Sequence, residues 1–423
     1  MKLDRLAEFC NTIIAWGIAA ILLIMPFHAF ISITLGSLGF TQVLIQSWKE
    51  ALVLVMGFVW LIYCVAKNRI LVKFDAVNII FGLIIFLSLF VTVFIHPSSK
   101  AVLFGIKTNL VAIVLYFIAQ IPLSQKTFIK RNIAWIVILP GLMVAVLAIL
   151  QSTLIAPALL ESIGYNSTTI DPKQIVDGSL KVFRAFSTLG GPNQMGAYLI
   201  LPLVFCLTYG IKHRKWLFLL FSLPMFAGIF LSFSRSAWIA TIVSVFLCVV
   251  FVLSKKQKVV FIMTSIAFVS IAAVVLFNLS LSNQKIQNVL LHGRYFENQI
   301  QGSDSQRLES IASATNTIKS QPLGHGLGSA GPASFQSEAP VISENWYLQI
   351  AYEVGVLGLV LYLAAFTGLL GEFVRDRKNP FAIGLLSATV GILIVNLFLH
   401  AWADSTLVLI MFALYGLYRG KKA

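Results

Sequence analysis

Residues 74–95 read FDAVNIIFGLIIFLSLFVTVFI, and Asp75 is the single charged side chain among them. A helix needs about 20 predominantly apolar residues to cross the hydrocarbon core of a bilayer, so this stretch predicts a membrane-spanning helix. A helix is required because lipid offers no hydrogen-bond partner to an open backbone. The fold class of the chain therefore depends on how often such stretches recur.

Apolar runs of similar length follow one another along the whole chain. Of its 423 residues, 58% are hydrophobic and 11% are charged, whereas a soluble domain carries about 25% charged residues. We therefore predict an all-α polytopic membrane protein with about 12 transmembrane helices. The predicted spans are 9–29, 47–66, 74–95, 101–119, 131–152, 193–210, 215–233, 235–253, 258–278, 344–370, 380–398 and 402–418.

Two connections are much longer than the others within the single predicted membrane domain, residues 1–423. They cover residues 153–192 and 279–343. Long loops in compact domains are usually functional. Segment 304–319 in the second connection has apolar side chains at helical spacing, which predicts a short extramembrane helix between the ninth and tenth spans.

Lys and Arg residues concentrate in alternate connections, at 2–5, 67–73, 126–131, 212–215, 255–258, 375–378 and 419–422. The positive-inside rule then predicts an inner-membrane protein with both termini in the cytoplasm and both long loops on the outer face. The net charge of +15 is explained by orientation and by contact with anionic membrane lipid. A nucleic-acid-binding surface is not expected.

Charged residues on the predicted outer side need a specific reason, because apolar surroundings make them costly. Arg235 lies between two apolar runs, in the sequence Ser-Phe-Ser-Arg-Ser-Ala-Trp that starts at Ser232. One interpretation is an arginine that marks a helix start and extends to the interface. The other is an anion site made by the guanidinium, nearby serine hydroxyls and a helix N-terminus.

Two further arginines accompany the long loops. Arg184 precedes Gly191-Pro192-Asn193, which is typical of a tight turn with an Asn N-cap. The turn and the cap need no function, but they leave the arginine unexplained. Arg307 falls on the predicted outer helix, where a solvated surface charge is the alternative to a binding role.

Carboxylates and amides cluster where the tenth and twelfth predicted spans begin. Asn345 and Glu353 share one helical face. Glu344 stands just before them, either as a capping carboxylate or as a functional group at the outer mouth. Asp404 lies in a polar break beside His400, and pairing with an arginine is its simplest role.

The sequence offers little support for a metal site or for a dinucleotide-binding site. Each of the four cysteines lies inside an apolar run, and none forms a ligand spacing with another Cys or His. The glycine-rich segment 322–331 follows no buried strand, which argues against a dinucleotide-binding fingerprint. We predict no metal and no cofactor.

Taken in order, these motifs resemble the O-antigen ligase and O-antigen polymerase superfamily. The likeness rests on four segments of the second half, listed as 184–193, 234–236, 304–326 and 344–355. The resemblance implies transfer of a glycan from a polyprenyl diphosphate carrier, such as undecaprenyl diphosphate, to a hydroxyl on an acceptor glycan or glycolipid. It implies a metal-independent, inverting glycosyltransferase that acts in cell-surface polysaccharide assembly, such as lipopolysaccharide assembly.

The resemblance also assigns roles. The arginines implied to hold the diphosphate are Arg184, Arg235 and Arg307, and Arg235 is also counted as catalytic. Glu344 is implied as the general base, at a position where family ligases typically carry His. From their positions we also expect four further residues to support the site, namely Asn345, Asn193, Glu353 and Asp404.

Three alternatives remain open at this stage. The Glu at position 344 does not separate ligase from polymerase, and it leaves open a transferase with a different acceptor and an inactive member. A transporter or flippase of lipid-linked glycan would place polar residues along a midplane path and show internal repeats. Here the polar residues concentrate near the outer face, although Lys107 and Glu353 are candidates for deeper charges. A membrane scaffold would leave the outer arginines unexplained.

Overall fold

A computed structural model describes residues 2–68, 72–95, 97–123, 128–176, 179–254, 256–265, 275, 278, 303–337 and 340–420. Helices make up most of this part of the chain. They are α1 (Lys2–Ile24), α2 (His28–Ser37), α3 (Gln42–Gln46), α4 (Trp48–Lys67), α5 (Ala76–Ile95), α6 (Ser99–Asn109), α7 (Val111–Ile118), α8 (Phe128–Thr153), α9 (Pro157–Ser162), α10 (Pro192–His213), α11 (Trp216–Leu231), α12 (Arg235–Val252), α13 (Ser303–Ser320), α14 (Trp346–Glu353), α15 (Gly355–Arg375), α16 (Pro380–Val395) and α17 (Ser405–Gly420).

The predicted membrane bundle is confirmed. Within the described residues, eight helical segments are long and apolar enough to cross a membrane, and α11, α16 and α17 are shorter apolar helices. Every predicted span except 258–278 overlaps with one of these segments. Residues 256–265 are helical, and most of the rest of that predicted span lies outside the described residues.

The predicted span 344–370 is two helices rather than one. The helix α14 ends at Glu353 and α15 begins at Gly355, whose φ is +83°. A Cβ at Gly355 would lie 2.7 Å from the carbonyl oxygens of Pro322 and Leu323. A chain segment distant in sequence therefore packs into the break, which hydropathy does not reveal.

The helix α10 lies at the centre of the bundle, in contact with α8, α11, α12 and α16. Its 22 residues span about 33 Å at 1.5 Å per residue, which is close to the thickness of the hydrocarbon core. We call the end of the bundle near Asn193 the long-loop end, and the end near His213 the opposite end. The helix thus fixes the distance between the two ends.

The two long connections carry short elements of their own. The first contains α9 and a two-stranded antiparallel hairpin, β1 (Ile175–Val176) with β2 (Ser179–Phe183). This hairpin is the exception to the all-α prediction in the described residues. In the second connection α13 forms where a short helix was predicted, and the 3₁₀ segment Gly331–Gln336 follows it. Residues 279–302 lie outside the described part.

Candidate functional site at the long-loop end

A cavity of about 410 Å³ opens at the long-loop end, between the N-terminal ends of α10, α14 and α17. Its polar lining comes from three segments that are far apart in sequence. These residues are Asn193, Gln194, Glu344, His400, Asp404 and Ser405. The cavity therefore unites three of the predicted site residues, namely Asn193, Glu344 and Asp404.

Glu344 has a left-handed backbone, with φ +48°. This conformation costs an L-residue about 1–2 kcal/mol. The capping role suggested for Glu344 belongs to Asn345, whose Oδ1 accepts hydrogen bonds from the N–H groups of Tyr347 at 2.9 Å and Leu348 at 3.1 Å. Glu344 is thus one residue outside the cap, at the cavity wall.

Backbone strain is concentrated at this end. Five non-glycine residues have positive φ in the described chain. Two of them, Asn68 and Arg214, are C-caps of α4 and α10, where a left-handed backbone is common. The other three are Ser187, Phe233 and Glu344, which lie on the turns that follow Arg184, precede Arg235 and precede α14. Strained backbone of this kind often accompanies functional sites.

Arg184 ties two helices together beside the cavity. Its Nε donates to the carbonyl oxygen of Ser232 at 3.0 Å, and its NH2 group donates to Asn193 Oδ1 at 2.7 Å. The next backbone N–H, that of Ala185, donates to Leu231 O at 2.9 Å. Because Asn193 lines the cavity, Arg184 is one hydrogen bond away from its wall.

Arg235 starts α12 on the same turn that Arg184 contacts. This turn is built by buried hydroxyls: Ser232 Oγ donates to Ile229 O at 2.6 Å, and Ser234 Oγ lies 3.2 Å from Ser236 Oγ. The three serines therefore shape the turn, rather than forming the open anion site suggested by the sequence. The half-buried Arg235 is held three residues from the Ser232 carbonyl that Arg184 binds.

Close packing fixes this turn against α10. A Cβ on Gly196 would lie 2.8 Å from Ala237 Cβ and 2.9 Å from Ser232 Oγ. The structure thus brings Arg184 and the Arg235 turn together. The predicted third arginine, Arg307, is on α13, but its side chain lies outside the described part of the structure.

Glu353 has a different place from the other predicted members. Its carboxylate is buried, accepting hydrogen bonds from Asn109 Nδ2 at 2.8 Å and from the N–H of Gly328 at 3.0 Å. The carboxylate contacts α6 and the glycine-rich segment 322–331, and it does not line the cavity. Gly328 has φ +81°, and a Cβ there would lie 1.9 Å from Ala101 O. Glu353 and Gly328 therefore brace the long-loop end.

Asp404 caps α17 at the cavity wall. Its Oδ1 accepts from the N–H of Leu407 at 2.9 Å, so a helix N-terminus takes the place of the expected arginine partner. Burial raises the pKa of this carboxyl, while hydrogen bonds from the backbone and the charge of Lys49 act in the opposite direction. Asp404 is therefore a partly buried carboxyl that is held at the N-terminus of α17.

His400 is a cavity residue that was not predicted from the sequence, although it lies in the polar break beside Asp404. Burial lowers the pKa of His400 to about 4, so its imidazole is neutral at neutral pH. Its Nε2 is buried and has no hydrogen-bond partner among the described residues. A histidine between two apolar runs was the available signal.

A second polar cluster lies behind Asp404. Lys49 is only 2% exposed, and its Nζ lies 2.9 Å from His28 Nε2 and 3.5 Å from Glu50 Oε1. Lys107 Nζ lies 3.1 Å from the same Glu50 oxygen. One carboxylate therefore joins two lysines that are far apart in sequence, which no local sequence pattern indicates.

The described residues contain no group of three or more His, Cys, Asp or Glu arranged to hold a metal ion. The four cysteines are free thiols. The functional groups at the cavity and its arginine wall are carboxylates, amides, the His400 imidazole and the guanidiniums of Arg184 and Arg235.

Comparisons with known proteins agree with the motif resemblance. Residues 217–363 match a family model described as O-antigen ligase. This match includes Arg235, Arg307 and Glu344, while Arg184 and Asp404 lie outside it. The chain is also similar to an O-antigen polymerase of Salmonella muenchen, at 22% identity over 259 residues. That similarity covers 59% of this chain and 62% of the relative.

Proposed function

We propose that this chain, which resembles the O-antigen ligase and polymerase superfamily, is a membrane glycosyltransferase. It would pass a glycan from a polyprenyl diphosphate carrier to a hydroxyl of an acceptor glycan or glycolipid. One observation carries the proposal: the cavity that holds Glu344 shares its Asn193 wall with Arg184, which binds the turn that starts at Ser232 and leads to Arg235.

The arginine side of the site would bind the diphosphate. Negative charge grows on this leaving group as the glycosidic bond breaks, and pre-placed guanidiniums stabilise such charge strongly. Arg184 binds the Ser232 carbonyl and Arg235 follows three residues later on the same turn, so a diphosphate bound at this turn would meet both cations. Arg307 on α13 is our third candidate. Because arginines supply the positive charge, the proposed reaction is metal-independent.

The carboxylate side of the site would activate the acceptor. Glu344 would accept the proton of the acceptor hydroxyl, whose oxygen then forms the new bond to the anomeric carbon. The bond from that carbon to the diphosphate oxygen breaks, and its electron pair leaves with the diphosphate. A single direct displacement of this kind inverts the anomeric configuration. His400 and Asp404 would bind acceptor hydroxyls in the same cavity.

The orientation belongs to the same proposal. The basic connections would lie in the cytoplasm together with both termini, so the long-loop end would face the outer side of the inner membrane. Reporter fusions would test this placement. A reporter that is active only outside the cytoplasm should work in segment 154–191 and fail at the C-terminus.

Reconstituted protein provides the decisive experiment. Purified full chain in liposomes would receive a polyprenyl diphosphate glycan together with either a glycolipid core or a second carrier-linked glycan. Release of the carrier diphosphate with glycan on the core indicates a ligase, and chain extension indicates a polymerase. Movement of intact donor across the bilayer without cleavage would instead indicate a flippase and refute the proposal.

A further inference from the structure

A second cavity, of about 440 Å³, lies at the opposite end of the bundle. It is bounded by the N-terminal half of α8, the last turn of α10 and the start of α16. The length of α10 separates it from the proposed active site by about 30 Å. The proposed glycan transfer therefore makes no use of it.

The rim of this cavity carries positive charge. Arg131 and Lys215 line it together with His213, and all three side chains are exposed. The described residues that line the cavity include no Asp or Glu. A rim of one sign of charge favours an anionic ligand and repels a cationic one.

The wall below this rim is aromatic and apolar. Trp135 and Phe218 pack with ring centroids 4.7 Å apart, and Lys215 Nζ lies 5.9 Å from the Phe218 centroid. Phe381 forms another part of the wall and is 7% exposed. A free inorganic anion would leave such a wall uncovered, whereas the apolar part of an amphiphile would pack against it.

The position of the cavity in the bilayer supports the same conclusion. One helix that spans the hydrocarbon core connects it to the long-loop end, so the cavity lies at the level of the opposite headgroup layer. Aromatic side chains with basic neighbours are typical of this level. A fitting occupant is therefore an amphiphile whose charged headgroup lies at that depth and whose acyl chains extend into the bilayer.

We propose that this cavity is a binding site for an anionic phospholipid. The lipid phosphate would lie among Arg131, His213 and Lys215, and its glycerol and upper acyl carbons would contact Trp135, Phe218 and Phe381. The proposal is independent of the proposed glycan transfer, because it uses neither the residues nor the end of the bundle that transfer requires.

Lipid binding by the purified full chain tests this site. Native mass spectrometry in a neutral detergent would compare phosphatidylglycerol with phosphatidylcholine at equal concentrations. We expect tighter binding of phosphatidylglycerol, and an increase in its dissociation constant of about fivefold for each cation removed in Arg131→Gln and Lys215→Gln. The matched control is Arg377→Gln, an exposed basic residue of the same end that does not line the cavity.

Several outcomes would overturn the assignment. Equal binding of the two lipids would remove the charge argument, and an equal loss in Arg377→Gln would show a diffuse surface effect. Displacement of the lipid by millimolar inorganic phosphate would point to a simple anion site. A thermal unfolding midpoint close to wild type in each variant ensures that a loss of binding is not a loss of fold.

Discussion

The two ends of this helical bundle each hold a cavity, but they are built in different ways. The long-loop cavity collects carboxylates, amides and an imidazole from separate segments, and Arg184 is hydrogen-bonded to its Asn193 wall. Left-handed backbone and buried hydrogen bonds hold these walls. The opposite cavity has exposed cations above an aromatic wall. Fixed polar groups at the long-loop end suit a catalytic site. Exposed cations above an aromatic wall at the opposite end suit binding of a lipid headgroup at the membrane interface.

The largest effect is expected at the proposed base, Glu344. Glu344→Gln keeps the shape of the side chain and removes its ability to accept a proton. We expect glycan transfer to fall about 10²–10⁴-fold, measured with reconstituted protein and a lipid-linked donor. The control is Glu309→Gln, an exposed carboxylate on α13. Full activity in Glu344→Gln would remove the base assignment.

The next effect concerns the diphosphate. Arg235→Ala removes a cation beside the turn that Arg184 holds, and we expect activity to fall about 10²-fold or more. Arg235→Lys should recover only part of it, because an ammonium cannot bind two oxygens in a planar fork. Lys319→Ala, at the end of α13, is the matched control. Equal activity of Arg235→Ala and wild type would contradict the phosphate role.

A stability measurement tests the rigid construction of the long-loop end. In Gly328→Ala, the added Cβ meets Ala101 O and the φ of +81° is strained. We expect a loss of about 1–3 kcal/mol of unfolding free energy, seen as a lower thermal midpoint in detergent. Gly371→Ala in α15 has open space around its Cβ and should stay at or above wild type. Equal midpoints would show that Glu353 and Gly328 do not brace this end.

The smallest expected effect is a pH dependence at Asp404. Because burial raises the pKa of this carboxyl in the folded protein, the folded state binds more protons than the unfolded state between the two pKa values. Wild-type stability should therefore decrease as pH rises through that window. Asp404→Asn lacks this slope, so its thermal midpoint relative to wild type should rise as the pH increases above the ordinary carboxyl pKa of about 4. Parallel pH profiles would refute the shift.

Much of the fold was predictable because membrane hydropathy is a local property. Whether 20 residues can cross lipid depends on those residues alone, and segments such as Ala76–Ile95 formed where expected. The break at Val354 was not predictable, because it depends on Pro322 and Leu323 packing against Gly355. The hairpin β1–β2 was missed because its strands have only two and five residues, too few for an alternating pattern to stand out in a long loop.

The candidate site was predictable in its residue types but not in its partners. Glu344, Arg184 and Arg235 were identified as charges that apolar surroundings would not tolerate without a reason. Glu353 was identified in the same way, yet the structure places it in a structural hydrogen-bond network with Asn109. His400 entered the site because its segment folds over Asn193 and Glu344, which no local pattern encodes.

The amino-acid sequence by itself determined that this chain folds as helices in a membrane and where its spans lie. It also identified the charged residues whose transfer into apolar surroundings costs free energy. These properties follow from the transfer of individual side chains and of short segments into lipid. Only the tertiary structure decided which of those residues meet. The hydrogen bond from Arg184 to Asn193 joins residues nine positions apart. The cavity brings Asn193 together with Asp404, which is far away in the sequence. Such proximity arises from the packing of helices across the whole bundle.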